Sequence, residues 1–424
     1  MAENRRQSRT ELTWRNQEDR RPRMARPYEA APVRTGSASA PSSIRREVRR
    51  RPAAEKPVVG GFDVPYFMLV VMLTLIGLVM LFSASYSSAY YYYGDATYFI
   101  WRQFLFAALG FVVMFIVMAI PYQILHKLAF PMLVFAAVLL VLVLFIGQTR
   151  NNAQRWIGIG ELMTIQPSEI AKAAVIISFS SLAVRMGKQR MKTFTYGIVP
   201  FLVIIGFCGF LLMQEPHLSA TLIIAITGIV IIFLAGAHIG KLAALGVVGL
   251  AAVLWIVFGL GYGLDRINMW LDPTIDPQGD GYQILQSLYA LGSGGMWGLG
   301  LGQSRQKHLF LPEPQNDFIF AIICEELGFV GGALILIIFA AFVIRGYYIA
   351  LRARDNFGTL LVAGFTTQIA IQIILNIGVV TGLLPVTGAS LPFFSSGGTS
   401  LVILFAELGV VLSVSRQIPA QRKG

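Results

Sequence analysis

The sequence predicts an all-α, polytopic membrane protein with about ten transmembrane helices. Both termini are expected in the cytoplasm, with one large extracellular loop between helices 7 and 8. Three observations carry this. Of 424 residues, 55% are hydrophobic and only 13% charged, whereas soluble domains carry about a quarter charged residues; the mean hydropathy is +0.66. The charge is segregated, with residues 1–63 holding 23 of the 56 Asp, Glu, Lys and Arg residues. The remainder contains ten apolar runs, each near the ~18–20 residues that cross a hydrocarbon core.

The elements follow in order. Residues 1–61 are expected to form a disordered, basic cytoplasmic tail, because the segment is rich in Arg, Pro, Ser and Ala and has no sustained apolar period. The cluster Arg45, Arg46, Arg49, Arg50 and Arg51 just before the first span reads as a topology anchor or as a site for anionic lipid or a cytosolic partner. No signal peptide is evident, since the first apolar run begins too late and is too long. The runs lie at about 65–85, 103–120, 128–147, 167–184, 196–213, 218–236, 239–263, 317–345, 358–380 and 398–415. They define a membrane domain over 62–417, followed by a short cytoplasmic tail, 418–424. No internal repeat is visible, so the inverted-repeat transporter pattern is not evident.

Positive charge sets the orientation. With the tail inside, the inward segments carry Lys127, Arg185, Lys188, Arg190, Lys192, Lys241, Arg345, Arg352, Arg354, Arg416, Arg422 and Lys423. The outward loops carry only Arg150, Arg155, Arg266, Arg305 and Lys307, with Arg102 at a boundary. The net charge of +12 therefore belongs to membrane topology and does not indicate nucleic acid. Cys208 and Cys324 lie in apolar runs, and with four scattered histidines they make neither a disulfide framework nor a zinc pattern.

Sequence complexity collects in three outward loops, 148–166, about 264–316 and 381–397. A loop of about fifty residues exceeds a mere connector. Within it, Tyr282, Ile284, Leu285, Leu288 and Tyr289 recur at helical spacing and predict an interfacial helix. Eight glycines from Gly279 to Gly302 then allow irregular backbone, which either clamps a polymer or is plain irregularity. Gly298, Gly300 and Gly302 lack the preceding strand of a dinucleotide site.

Charged groups within spans are costly and are candidates by default. They are Glu169 and Lys172, spaced to pair on one helix face, Asp317, Glu325, Glu326 and Glu407. Gln368, Gln372 and Asn376 form a polar stripe suited to interhelical hydrogen bonds. Counting outward from Arg345 along a continuous helix puts Glu325 near the edge of the hydrocarbon and Asp317 about 12 Å beyond it, at headgroup height. Asp317 is then either a catalytic group or the cap of its helix. Arg150, Arg155, Arg305 and Lys307, with His308, are outward groups suited to phosphate. Trp156 could stack on a sugar or anchor at the interface.

Several motifs in one order carry a resemblance: AQRWIGIG at 153–160, QPSEIAK at 166–172, GDGYQILQS at 279–287, GLGLGQSRQKHLFLPEPQNDFIFAIICEELG at 298–328, and GLLPVTGASLPFFSSGGTS at 382–400. Over about 62–417 the chain resembles the SEDS family (shape, elongation, division and sporulation), whose members include FtsW, RodA and SpoVE. The last two motifs resemble the FtsW and SpoVE branch more than RodA. Asn316 and Ser396 depart from the Thr and Tyr common at those family positions.

The resemblance implies a peptidoglycan glycosyltransferase of the bacterial cytoplasmic membrane that polymerises lipid II at the outer face, enriched at the septum if it serves division. Elongation and sporulation roles are the paralogue alternatives. It implies a cognate class B penicillin-binding protein as partner, other divisome proteins, contact with membrane lipid and no organic cofactor. Asp317 is the implied catalytic residue, acting as a general base or as a ligand for Mg²⁺ or Mn²⁺. The candidate substrate-binding residues are Arg155, Trp156, Arg305, Lys307, Glu169 and Lys172. Two competing readings are a lipid II flippase, which the charged groups in the spans would suit, and a non-catalytic divisome scaffold.

Overall fold

The first helix starts where the sequence supplies a cap. Asp63 accepts the Tyr66 N–H at 2.9 Å and Pro65 occupies the first turn, where no N–H is needed. The helix α1 (Val64–Tyr93) ends at Gly94, whose φ of 69° lets its N–H return to the Tyr90 carbonyl. The computed structural model describes residues 60–418 apart from 151–152, 160–162, 216, 260, 262–263 and 280. The basic tail through residue 59, with its arginine cluster, and residues 419–424 lie outside the described residues.

Next come α2 (Tyr98–Ala119), α3 (Gln123–Ile146), strands β1 (Gln148–Arg150), β2 (Ala153–Ile159) and β3 (Met163–Ile165), α4 (Pro167–Met191), the short α5 (Phe194–Gly197), α6 (Val199–Gln214), α7 (Leu218–Leu234) and α8 (Ile239–Leu254). The long loop contributes α9 (Leu264–Leu271) and α10 (Tyr282–Gly294), and the chain closes with α11 (Ile319–Arg352), α12 (Asn356–Val380) and α13 (Gly398–Ser415). Among the described residues seven helices, α1 to α4 and α11 to α13, are long and apolar enough to cross a membrane; α6, α7 and α8 are apolar but shorter. Each apolar run of the sequence coincides with one of these ten helices. The side chains facing outward from α2 and α3, such as Phe115, Phe130 and Phe145, are apolar, as contact with lipid tails requires.

One end of the bundle is tied by the Arg345–Asp63 ion pair at 2.8 Å, by Tyr122 donating to Asp355, and by Gly60 N–H donating to the Arg416 carbonyl. The opposite end gathers the sheet, the start of α4 and the loops that follow α8 and α12, and it departs from the sequence reading in three places. The 148–166 loop is a three-stranded antiparallel sheet in the order β1-β2-β3. The 381–397 loop does not lie on the surface. It dips into the bundle, where Phe393 packs on Phe342 and Phe405, and Phe394 packs on Phe339. Irregular backbone at that depth is tolerated only when protein encloses it. Finally, α10 forms at the spacing read from sequence, but it buries Ile284, Ser287 and Ala290 against its neighbours, and Ser287 donates to the Val380 carbonyl.

The depth count for Asp317 needs correction, because α11 is not continuous. Gly328 sits at φ 69° and splits it. The run Phe329–Arg352 alone spans about 36 Å at about 1.5 Å per residue, so the turns that carry Glu325 and Glu326 form a separate piece. The glycine-rich loop threads the break. Leu299 and Gly300 N–H groups donate to the Glu325 and Glu326 carbonyls, and Phe329 and Val330 N–H groups donate to Gly295 and Met296. A Cβ on Gly328 would stand 2.3 Å from the Gly298 nitrogen, so backbone meets backbone there. Close approach of backbone to backbone accounts for Gly298 and Gly328.

Candidate active site

Asp317 does not cap α11. The capping position is Phe318, and no side chain closes that helix start. The segment before the helix is stapled from below instead. Asn376 of α12 donates to the carbonyls of Asp317 and Ala389, both at 2.7 Å. Ser395 Oγ donates to the Asn316 carbonyl at 2.5 Å, and Ser396 N–H donates to Gln315 at 2.8 Å. Thus Asn316 and Ser396, the two departures from the family pattern, contribute backbone atoms to this staple, which fixes the height of the Asp317 carboxyl group.

Asp317 is half-buried as a residue, and its carboxyl lies near Arg155. A Cβ placed on Gly388, at φ 73° in the re-entrant loop, would be 3.6 Å from Asp317 Oδ2 and 3.9 Å from Arg155 Nη1. Arg155 is brought there by β2, and its Nε donates to the Glu215 carbonyl at 3.1 Å. Burial, and secondarily the Glu313 carboxylate, raise the Asp317 acid to about 6 against the opposing pull of Arg155. Glu313 is oriented by Asn316, whose side-chain amide donates to it at 2.8 Å.

The other sequence candidates fall into separate places. Glu169 and Lys172 pair at 2.9 Å, as their spacing predicted, and Lys172 also reaches Gln372 at 3.4 Å. Gln372 donates to Ser390, so this pair connects to the re-entrant loop that holds Asp317. The polar stripe continues at Gln368, which donates to the buried Glu407. Glu169, Gln368, Gln372, Ser390 and Glu407 line a cavity of about 30 Å³, enough for one or two waters. Trp156 follows Arg155 on one strand, so the two side chains project to opposite faces.

Lys307, expected at a phosphate, is buried and bound elsewhere. Its ammonium donates to Glu326 at 2.9 Å and to the Gly302 carbonyl at 2.6 Å. Glu326 also accepts from Ser83, and Glu325 accepts from Ser304 and from the Arg305 backbone N–H. This network locks the loop into the break of α11. Arg305 keeps its side chain exposed, while His308 meets Ser87. The side chain of Arg150 lies outside the described residues.

Sequence reasoning passed over Glu215 and His217, in the elbow between α6 and α7. Both are buried, and both Glu215 carboxyl oxygens and the His217 Nδ1 lack a hydrogen-bond partner. Burial raises the Glu215 acid to about 8 although Arg155 pulls it down. Burial, then Arg155 and Lys172, hold His217 well below the ordinary imidazole range. The signal was present in the sequence, as a carboxylate and an imidazole in a very short gap between two apolar runs.

Among the described residues, no three His, Cys, Asp or Glu side chains converge as a ready-made metal site. Among the described residues, the side chains around Asp317 do not by themselves form a cation cage.

The fold and site define a multi-pass membrane protein with a carboxylate and a guanidinium facing each other beneath irregular loops. Residues 64–419 match the family model FTSW_RODA_SPOVE, described as cell cycle protein, and the chain belongs to that family. It is 44% identical to stage V sporulation protein E of Bacillus subtilis (strain 168) over 84% of this chain and 97% of that protein. It is 38% identical to the probable peptidoglycan glycosyltransferase FtsW of Geobacter sp. (strain M18), over 85% of this chain and 98% of that protein. A solved peptidoglycan synthase complex, described as coordinating polymerization and crosslinking, contains a chain that superposes with a TM-score of 0.71 at 27% identity, covering 84% of this chain and 98% of that one. The rod shape determining protein RodA of Thermus thermophilus superposes with a TM-score of 0.63 at 26% identity, over 85% and 98% of the two chains.

Proposed function

We propose that this chain is a peptidoglycan glycosyltransferase that polymerises lipid II at the outer face of the cytoplasmic membrane. The observation that carries the reading is the meeting of Asp317 and Arg155 within 4 Å of one point above Gly388. A base beside a cation is what transfer from a prenyl diphosphate needs.

The acceptor's GlcNAc 4-hydroxyl attacks the anomeric carbon of the donor MurNAc. The C–O bond to undecaprenyl diphosphate breaks, and the α-linked donor becomes a β-1,4 bond. One inversion needs one base and no covalent intermediate. Asp317 takes the hydroxyl proton, a role generally worth about 10²–10⁴-fold. An acid near 6 is mostly ionised at neutral pH yet more basic than an ordinary carboxylate. Arg155 stabilises charge on the departing diphosphate through its guanidinium donors. If a divalent ion takes part, Asp317 is the side chain that would hold it, and the ion would supply charge stabilisation to the leaving diphosphate.

The relatives named FtsW support a division role, and the likeness to a synthase complex supports a transpeptidase of the penicillin-binding class as partner. The test is polymerisation by the purified, reconstituted chain given lipid II on the accessible face, with and without partner and chelator. Glycan strands that vanish in a folded Asp317→Asn variant support the enzyme. Undiminished polymer from that variant overturns the role of Asp317, and lipid II crossing the membrane without polymer favours a flippase. Partner recruitment that suffices for cell growth with Asp317→Asn favours a scaffold.

A further inference from the structure

We infer that Gln103 of α2 is a positioning residue for the Asp317 carboxylate, acting through Ser395 of the re-entrant loop. The inference rests on the glycosyltransferase reading above. It starts from a polar side chain in an apolar helix. From Phe104 to Ala119 α2 carries only apolar side chains and glycine, yet Gln103 itself is 3% exposed. A buried amide is costly unless its polar atoms are bonded. Here both are: Gln103 Nε2 donates to the Ser395 carbonyl at 3.1 Å, and Oε1 accepts the Gly397 N–H at 3.3 Å.

Ser395 passes this hold on. Its hydroxyl accepts the Leu391 N–H at 2.7 Å and donates to the Asn316 carbonyl at 2.5 Å. The carbonyl of Asn316 and the nitrogen of Asp317 belong to one planar peptide unit. Asn376 of α12 holds the next unit through the Asp317 carbonyl. The two units flanking the Asp317 Cα are thus each fixed by a hydrogen bond, and together they set the direction of its Cβ and carboxyl. One anchor comes from α12, and the other reaches back to α2. Ser396, between the two residues that Gln103 grips, donates its N–H to the Gln315 carbonyl at 2.8 Å. The 395–397 turn is therefore held by α2 on one side and by residues 315–316 on the other.

α2 is a firm base for this hold. A Cβ on Gly398, the first residue of α13, would stand 2.5 Å from the Phe106 ring, and one on Gly409 would stand 2.7 Å from the Met114 carbonyl. The two helices meet closely at both levels, as helices in lipid do where glycine removes the side chain between them. That seam already joins α2 to α13. Gln103 adds bonds to the turn before α13, on the residues that lead to Asp317.

The experiment measures kcat and KM for polymerisation by the full chain reconstituted with lipid II on the accessible face. Gln103→Met keeps the length of the side chain and removes both hydrogen bonds. Its kcat should fall about 10²-fold, the cost of a reacting group misplaced by about 1 Å, while KM stays within about twofold. Ser395→Ala removes the link to Asn316 and leaves both Gln103 bonds in reach, because they go to backbone atoms. Thermal unfolding verifies that each protein is folded; Gln103→Asn, whose amide is one methylene too short to reach both partners, takes the place of Gln103→Met if that variant is not. A single route predicts overlapping losses, so the double variant with Ser395→Ala should lie within about threefold of the worse single variant. Losses that multiply to about 10⁴-fold overturn the inference, since the two side chains would then act separately. So does a folded variant of either residue with wild-type kcat, or one whose loss lies in KM. Absence of polymer from the wild type overturns the glycosyltransferase reading instead.

Discussion

Asp317 Oδ2 and Arg155 Nη1 both come within 4 Å of the position a side chain on Gly388 would occupy. One residue precedes a broken helix, the other sits on a small sheet, and the glycine belongs to a loop sunk into the bundle. A side chain at that position would stand against both groups, and glycine keeps it clear.

Asp317→Asn should lower polymerisation by about 10²–10⁴-fold while leaving the protein folded. The amide has nearly the same shape, and the staple from Asn376 holds the backbone carbonyl of Asp317, which the substitution does not touch. Product length on gels together with thermal unfolding separates lost chemistry from lost structure.

The acid limb of the rate should follow Asp317. A general base works ionised, so the rate should climb as pH rises through about 6. Glu313 raises that value by its negative charge. Glu313→Gln removes the charge, stabilises the ionised Asp317 and should move the limb to lower pH. A kcat/KM profile of the two proteins checks both the position and the direction.

Gly388 tests the gap itself. Its φ of 73° disfavours any L side chain, and Gly388→Ala should cost about 1–2 kcal/mol of stability, although the methyl would meet only ordinary contacts at 3.6 Å and 3.9 Å. Gly388→Val reaches further between Asp317 and Arg155 and should lose about 10²-fold in rate by displacing the reacting groups. Single-turnover kinetics on both variants compares the two effects.

What the sequence disclosed follows from the range over which each signal acts. The helices were legible because a spanning run is local and long, and Glu169–Lys172 because i,i+3 neighbours meet on any helix. Asp317 and Arg155 were legible as residue types, but their meeting was not, since it depends on Gly388 more than seventy positions further along. The sheet was hidden because Ala153–Ile159 is short and glycine-interrupted. Lys307 reads differently in sequence for a physical reason: a cation in an outward loop looks solvated until the helix break at Gly328 brings it the buried carboxylate of Glu326, nineteen residues on.

That pair gives the last test. Lys307 is 4% exposed and Glu326 0%, so neither charge can fall back on water if the other is removed. Lys307→Met should therefore destabilise the protein by about 3–5 kcal/mol, the cost of stranding a buried carboxylate. The double variant Lys307→Met, Glu326→Gln should recover part of the loss, because no uncompensated charge remains, although the hydrogen bond to Gly302 is gone. Arg305→Ala, two residues away and exposed, should leave the unfolding temperature unchanged. Thermal unfolding of the wild type, the single variants Lys307→Met and Glu326→Gln, and the double variant forms a cycle, with Arg305→Ala as the control. A coupling near zero would show that Lys307 does not hold the loop in the break of α11, and its ammonium would again be a candidate for the diphosphate.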